Sequence, residues 1–301
     1  MTDELFPLYG GRETRQGPKL GSEKEPLITI ITSTYNAAAS LHWTIDSIRT
    51  QKYQNIQWIV ADGGSKDGTV DILMQNEDVI DFWFSGPDSG IYDAWNKALQ
   101  HAKGEWIQFI GAGDELADEF VFEKVSKYLS TAFPTYELVY GSIDIISESN
   151  RVFIERIAIP WESMRKKWRG IRPVLPMHPE VFHHKSIFKR IDFPNYKIAG
   201  DCYVMVHSVL RKDPLFINIL IDKMTHGGVS TSPDSANIIY EELKEISKEF
   251  SLPVPFKNRM LYFLKVKLKI FVLKYLGLRF LNIMADIVRL IYFKKRKWTV
   301  K

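Results

Sequence analysis

Cysteine is nearly absent from this 301-residue chain, and the single Cys202 excludes an internal disulfide framework, a multi-cysteine zinc site and an iron–sulfur cluster. A chain so poor in thiols suits a reducing compartment, and a cytoplasmic location is expected. Long apolar runs are absent as well: no stretch of about 20 uncharged apolar residues occurs, so no conventional membrane-spanning helix is expected. The opening stretch, MTDELFPLYGGRETRQGPKLGSEKEP, has no apolar run for a secretion signal and carries acids where a signal needs basic residues. Neither G-x-G-x-x-G behind the first expected strand nor G-x-x-x-x-G-K-[ST] anywhere is found. Both gaps count against a dinucleotide-dependent dehydrogenase and a P-loop enzyme. Internal repeats and low-complexity segments are missing too.

What is present is an ordinary globular composition, with 45% hydrophobic, 13% aromatic and 25% charged residues. The length allows one large domain or two modest ones with a real core. A net charge of +4 conceals an asymmetry. Between 257 and 301, thirteen Lys/Arg stand against one acid, Asp286, whereas the rest of the chain holds 27 basic and 35 acidic side chains. A basic tail on an acidic body implies a separate task for the tail, toward nucleic acid or an anionic membrane.

Residues 1–25 show no periodicity and read as a loosely ordered lead-in. Strand-length apolar runs then follow at LITIITS, IQWIV, Phe82 to Phe84 and EWIQFI, each next to a helical pattern. Ser40 is expected to cap a helix with Leu41, Ile45 and Ile48 inside, and Thr69 to cap a short helix through Ile72 and Leu73. Gly104 is expected to stop the helix IYDAWNKALQHAK. Four alternations of strand and helix with short connections predict an α/β fold, a mainly parallel sheet with helices on both faces. Ligands of such sheets bind outside the carboxyl ends of the strands. There the chain places Thr34-Tyr35-Asn36, Asp62 to Thr69, Asp88 to Asp93, and Gly111 to Glu115.

Each of these strand ends after the first carries aspartate: Asp62 and Asp67, Asp88 and Asp93, and Asp114. Aspartate is common in turns and helix caps, which accounts for Asp67 and Asp88 taken singly. Acids converging on one rim nevertheless repel one another unless a cation or ligand donors neutralise them. A hard divalent cation holding a phosphate-bearing ligand answers that need.

These segments resemble the family 2 glycosyltransferases, inverting enzymes of GT-A fold that use nucleotide sugars. The resemblance runs from about Pro26 to Ser230 and rests on ITIITSTYN, VADGGSKDGT, SGPDSGIYDAWNKAL and GEWIQFIGAGDEL, in the family's order and spacing. The subgroup it looks closest to assembles bacterial surface polysaccharides. The resemblance implies that Thr34, Tyr35 and Asn36 sit beside the nucleotide, that Asp62 accepts a hydrogen bond from the base, and that Asp67 belongs to the same donor loop. Asp88, Asp93, Asn96 and Lys97 match the stretch lining the donor sugar and diphosphate. Asp114 falls on the metal-binding acid, for Mg²⁺ or Mn²⁺. Where the family usually has a second acid before it, this chain has Gly113, so the diphosphate and water must complete the shell.

Farther on, MHPEVFHHKSIFKRIDFP and YKIAGDCYVMVHSVL resemble the acceptor-side region. Asp201 matches the general base that removes the acceptor proton during single-displacement inversion; its alternative role is capping the helix that begins near Cys202. His178 matches a position beside the acceptor pocket, the alternative being packing. His183 and His184 read as structural or surface groups. His226, before a Gly-Gly turn, is either a local hydrogen-bonding group or a further metal ligand near the diphosphate. Trp161, Arg165, Lys166, Lys167, Trp168, Arg169 and Arg172 form a basic aromatic patch, either a solvated face with its tryptophans packed inward or a site for a polyanionic or lipid-linked acceptor.

In the tail, Leu261, Leu264, Leu268, Phe271, Val272, Tyr275 and Leu276 recur at helical spacing among lysines, Gly277 interrupts, and a second apolar helix ends in KKRKW. This predicts a basic amphipathic extension lying on an anionic membrane. Its aliphatic content disfavours nucleic acid; covering the protein's own core is the alternative. The expected organisation is thus a lead-in (1–25), a GT-A glycosyltransferase domain (26–235) and a helical membrane-associating tail (236–301). The expected activity is transfer from a UDP-, GDP- or dTDP-sugar to a glycan or lipid-linked acceptor at the inner face of the cell membrane. The missing second acid leaves a non-catalytic scaffold as the alternative. A nucleotidyltransferase would need a Gly-rich, basic loop after the first strand, and TSTYNAAAS has neither property.

Overall fold

The structure is a computed structural model that describes residues 8–22, 24–228, 232, 235–292, 296 and 298–299. Its first residues carry β1 (Leu8–Gly10) and a short helix α1 (Glu13–Gln16), where the sequence predicts only a loose lead-in. The four expected units follow: β2 (Ile28–Thr34) with α2 (Leu41–Arg49), β3 (Ile56–Asp62) with α3 (Thr69–Gln75), β4 (Phe82–Ser85) with α4 (Ile91–Leu99), and β5 (Trp106–Phe109). Next come β6 (Glu115–Leu116), α5 (Val121–Ala132), β7 (Leu138–Ser147) and β8 (Phe153–Ile157). A short helix α6 (Trp161–Met164) precedes a small hairpin, β9 (Trp168–Arg169) and β10 (Arg172–Pro173). The chain closes with β11 (Val181–His184), α7 (Gly200–Val209), β12 (Leu215–His226), α8 (Ala236–Glu249) and α9 (Phe256–Ile291).

Among the described residues ten strands share one sheet, in the order β1-β4-β3-β2-β5-β11-β7-β12-β6 with β8 beside β7. The strands β4, β3, β2 and β5 run parallel, as the alternating pattern predicts. β11 enters antiparallel between β5 and β7, and β12 returns parallel to β7. Successive residues of a strand point to opposite faces. Ile31, Ile59 and Phe109 therefore pack on one side with α4 and α7, while Ile30, Trp58 and Trp106 pack on the other with α2 and α5.

Three local expectations change. Ser40 precedes α2 without a side-chain capping bond, and α3 begins at Thr69 behind a left-handed Gly68, with Asp67 accepting the Thr69 N–H at 3.1 Å. Gly104 stands at the start of β5 rather than at a helix end; a Cβ there would lie 2.6 Å from Thr29 N, so it permits close strand approach. The lead-in is held because β1 pairs antiparallel with β4, Arg12 ion-pairs with Asp81, and Gly11 N–H donates to Glu77 at 3.0 Å. Isolated, these residues have no hydrophobic pattern to announce them.

The tail is helical, but its apolar stripe faces outward. Only Val266, Val272 and Asp286 of α9 are buried, while Phe256 is 79% and Leu268 60% exposed. At Gly277 the backbone turns to φ 78°, breaking α9 into two helices. No helix among the described residues is long and apolar enough to cross a membrane.

Candidate functional site

The carboxyl ends of β2, β3 and β4 form one rim because those strands are parallel and in register, Thr34 opposite Asp62 and Asp62 opposite Ser85. Asp62 is 1% exposed, and five donors converge on it. Thr34 Oγ (2.7 Å), Ser85 Oγ (2.7 Å), Gly64 N–H (3.1 Å), Ser65 N–H (2.9 Å) and the Ser65 hydroxyl all reach its carboxylate. Charge-assisted bonds of this kind are the strong ones, and together they lock three loops onto one buried anion. The expected base contact at Asp62 thus meets a carboxylate whose oxygens are already engaged; in this state it organises the rim.

Asn36 does similar work. It sits at φ 50°, its N–H donates to Ser65 Oγ at 2.7 Å and its Oδ1 accepts the Lys66 N–H at 3.0 Å. Asp67 accepts the Ala38 N–H and the Thr69 N–H and hydroxyl, bonds that hold its carboxyl below the usual range. The two loops are stitched together, and Tyr35 is left 71% exposed on top as a flat aromatic surface. A cavity of about 570 Å³ opens at the outer end of this rim, against Gly63 to Lys66, Ser85 to Pro87 and Leu8.

Asp88 is pushed up by burial; its Oδ2 would lie 2.8 Å from a Cβ on Gly63, so that position has no room for a side chain. On α4, spacing by four divides the labour. Asp93 and Lys97 pair at 3.0 Å on the rim side, where Asp93 accepts Ser89 N–H and Lys97 donates to Pro87 O. Burial works upward on Asp93, but the Ser89 N–H and Lys97 hold its carboxyl below the ordinary value. Tyr92 and Asn96 face the acceptor-side segment instead. Asn96 exchanges two hydrogen bonds with the Phe193 backbone, 2.8 and 3.0 Å, so it braces that segment rather than opening to the rim.

Asp201 lies in the first turn of α7, its Oδ1 accepting the Cys202 N–H at 2.7 Å and the Tyr92 hydroxyl at 3.3 Å. Burial raises its pKa, opposed by the Cys202 bond and the Arg172 charge. His178, expected at the acceptor pocket, is sandwiched between Trp95 and Phe109 at 5.0 and 5.1 Å, and burial lowers its pKa to about 3. Its ring is packed between aromatic neighbours, the packing alternative for this position. His183 is buried against Phe109 and Phe188, and His184 stacks on Phe133 at 3.7 Å.

Asp114 is 7% exposed, its Oδ1 accepting the N–H and hydroxyl of Thr225 at 2.9 and 3.0 Å, and burial lifts it to about 6. Its Oδ2 faces Gly111, where a Cβ would sit 2.8 Å away. A desolvated carboxylate with one oxygen toward a side-chain-free residue suits a divalent cation, which would stabilise its charged form. His226 follows Thr225 on β12, its ring set edge-on to Trp298 at 4.7 Å. No group of three acidic, His or Cys ligands gathers among the described residues; a second buried carboxylate, Asp222, is raised by burial and by the nearby Asp114 charge, so Asp114 has one acidic neighbour there.

The family model for glycosyl transferase family 2 matches residues 29–196. The chain belongs to this family. An uncharacterised glycosyltransferase of Mycobacterium tuberculosis is 31% identical over 209 residues, 68% of this chain and 78% of the relative. A PGL/p-HBAD biosynthesis glycosyltransferase of Mycobacterium bovis is 33% identical over 58% of this chain and 67% of the relative. Two solved structures share the GT-A fold. Staphylococcus aureus TarS 1–349 in complex with UDP superposes with TM-score 0.56, 16% identity and coverage of 79% of this chain and 70% of that one. The Pyrobaculum calidifontis mannosyltransferase PcManGT, in complex with GDP-Man and Mn²⁺, gives 0.54 with 17% identity, covering 80% and 69%.

Several supporting residues of this glycosyltransferase escape the sequence reading. Ser85 and Thr225 touch candidate acids but end strands like any other polar residue. Glu242 of α8 accepts the N–H groups of Lys197, Ile198 and Ala199, fixing the entry to α7, and nothing in its helical pattern signals this. Arg151, left-handed at φ 57°, donates to Gly113 O at 3.0 Å and lies 4.7 Å over Trp43. It ion-pairs with Glu115, and its charge acts on both Asp114 and Asp222.

Proposed function

We propose that the enzyme moves a sugar, with inversion, from a nucleoside-diphosphate donor to a hydroxyl of a lipid-linked glycan, in the assembly of a surface polysaccharide or glycolipid. The observation that carries this is α4, which presents Asp93 and Lys97 to the donor rim and, one residue earlier in each turn, Tyr92 and Asn96 to the Asp201 segment. A donor on the rim and a hydroxyl beside Asp201 then meet across one rigid helix. Relatives named for PGL/p-HBAD and for teichuronic acid biosynthesis support a role in glycan assembly.

Tyr35 offers the face on which the base stacks, above loops fixed by Asp62, Asn36 and Asp67. The acceptor oxygen attacks the anomeric carbon as its proton passes to the Asp201 carboxylate, and the bond to the diphosphate breaks on the opposite side. Burial favours this step, since a desolvated carboxylate of raised pKa is the stronger base. Asp114, with His226 as its neighbour, would hold a Mg²⁺ or Mn²⁺ ion that supplies charge stabilisation to the leaving diphosphate. The outward apolar and basic face of α9 fits an anionic membrane surface, where each Lys/Arg contributes roughly 1 kcal/mol.

Calorimetric titration with UDP, GDP, dTDP and CDP, with and without Mn²⁺, tests the reading. One nucleotide is expected to bind, at least tenfold more tightly with metal. Folded protein that binds none of them would sink the donor assignment and favour a scaffold.

A further inference from the structure

We propose that Arg169 and Arg172 anchor a phosphate or diphosphate carried by the acceptor, an assignment of substrate class that rests on reading Asp201 as the acceptor-side base. The two arginines are direct cross-strand partners on the β9–β10 hairpin. Like charges placed opposite each other destabilise a hairpin. Among the described residues no carboxylate forms an ion pair with either, although neighbouring Arg165 pairs with Asp213 at 3.4 Å. Arg169 stays accessible to water while densely surrounded by protein, and burial together with the Arg172 charge draws its pKa below the usual arginine value. A facing pair of planar guanidiniums that no carboxylate among the described residues contacts as an ion pair matches the oxygens of a phosphate, which each can grip in bidentate fashion.

Position identifies which substrate brings that anion. The hairpin turns at Gly170, φ +69°, and the ring of Tyr262 from α9 fills the space where a Cβ would stand, 2.6 Å from its Cδ2. The arginines thus sit between α9 and Asp201, whose carboxylate feels the Arg172 charge. Beyond Tyr262, α9 exposes Leu264 and Leu268, more than half of each accessible. Hydrocarbon along α9, phosphate at the arginines and a sugar hydroxyl at Asp201 is the order of groups in a lipid-linked glycan. The donor diphosphate is assigned to the neighbouring Asp93–Lys97 face of α4.

The test uses the full chain with its donor site saturated by the nucleotide that binds it. Dodecyl diphosphate, inorganic pyrophosphate and dodecyl maltoside are titrated calorimetrically into wild type, the double variant R169Q/R172Q and the double variant R169K/R172K. Dodecyl diphosphate is expected to lose at least tenfold in affinity in the Gln variant and to recover partly in the Lys variant, while nucleotide affinity changes less than twofold. Tighter binding of dodecyl diphosphate than of pyrophosphate supports a lipid-borne anion; equal binding supports the same site reading a soluble one. Unchanged binding in the Gln variant, or dodecyl maltoside binding as well as the diphosphate, overturns the proposal. Absence of nucleotide binding, measured separately, would overturn the donor reading instead.

Discussion

The rim proposed for the donor and the side proposed for the acceptor are built on opposite plans. The rim comes from three consecutive strand ends tied to one buried anion, Asp62, with every loop fixed to its neighbour by short hydrogen bonds. The acceptor side is gathered from distant pieces: α4, the β9–β10 hairpin, the first turn of α7 held by Glu242, and the start of α9. One half is preorganised by its internal hydrogen bonds; the other carries two facing arginines with no ion pair among the described residues and a wide apolar face. A nucleotide is a small repeated shape that a rigid cradle serves well, whereas a long amphipathic acceptor needs charge, hydrocarbon and a base spread over distance.

Substitutions should separate the two plans. The largest effect is expected from Asp201→Asn, which removes the proton acceptor and should lower transfer by roughly 10³-fold, within the range for general bases, with nucleotide affinity unchanged. Turnover near wild type would remove Asp201 from the chemistry. Asp62→Ala should act on the other half. It strands buried hydroxyls and N–H groups, at a cost of about 1–3 kcal/mol for the first of them, so both melting temperature and nucleotide affinity should fall. If nucleotide affinity survived, the rim would not depend on that anion.

Smaller effects sharpen the picture. Arg172 holds the Asp201 carboxyl down against burial, so Arg172→Gln should move the acid limb of the pH–rate profile to higher pH. An unmoved limb would mean that Asp201 and Arg172 are uncoupled during turnover. Glu180, buried near Asp222 and Tyr140, is raised by burial to about 8, from 4.5 in the unfolded chain. Between those values the folded state keeps a proton that the unfolded state releases, so this group makes stability fall as pH rises through the window. Glu180→Gln keeps an acceptor for the Met177 N–H, 3.0 Å in the native chain, and should raise the melting temperature more at pH 8 than at pH 5. An equal gain at both values would count against a proton held by Glu180.

The same division governs what could be read from sequence. Each rim strand stands next to its helix and turn, so periodicity and Asp-Gly punctuation announce the rim within about forty residues of Asp62. Pairings over long separation carry no such mark. β1 pairs with β4 and Arg12 behind it with Asp81, β11 inserts between β5 and β7, and Thr225 reaches Asp114 from 111 residues away. Asn96 and His178 were visible as motif positions, but only packing reveals that one braces a loop and the other fills the core. The outward face of α9 was legible as a pattern, its contact with the hairpin was not.

The break at Gly277 has a geometric consequence. Before it, α9 leans on the acceptor hairpin through Tyr262; after it, Arg289 pairs with Glu155 at 3.2 Å, and Asp286 accepts the N–H groups of Trp298 and Thr299, setting Trp298 against His226. A straight helix of 36 residues would be about 54 Å long and could keep contact at only one end. The elbow turns the tail into a clasp, so one covalent strap grips the β9–β10 hairpin with one arm and β8 and β12 with the other.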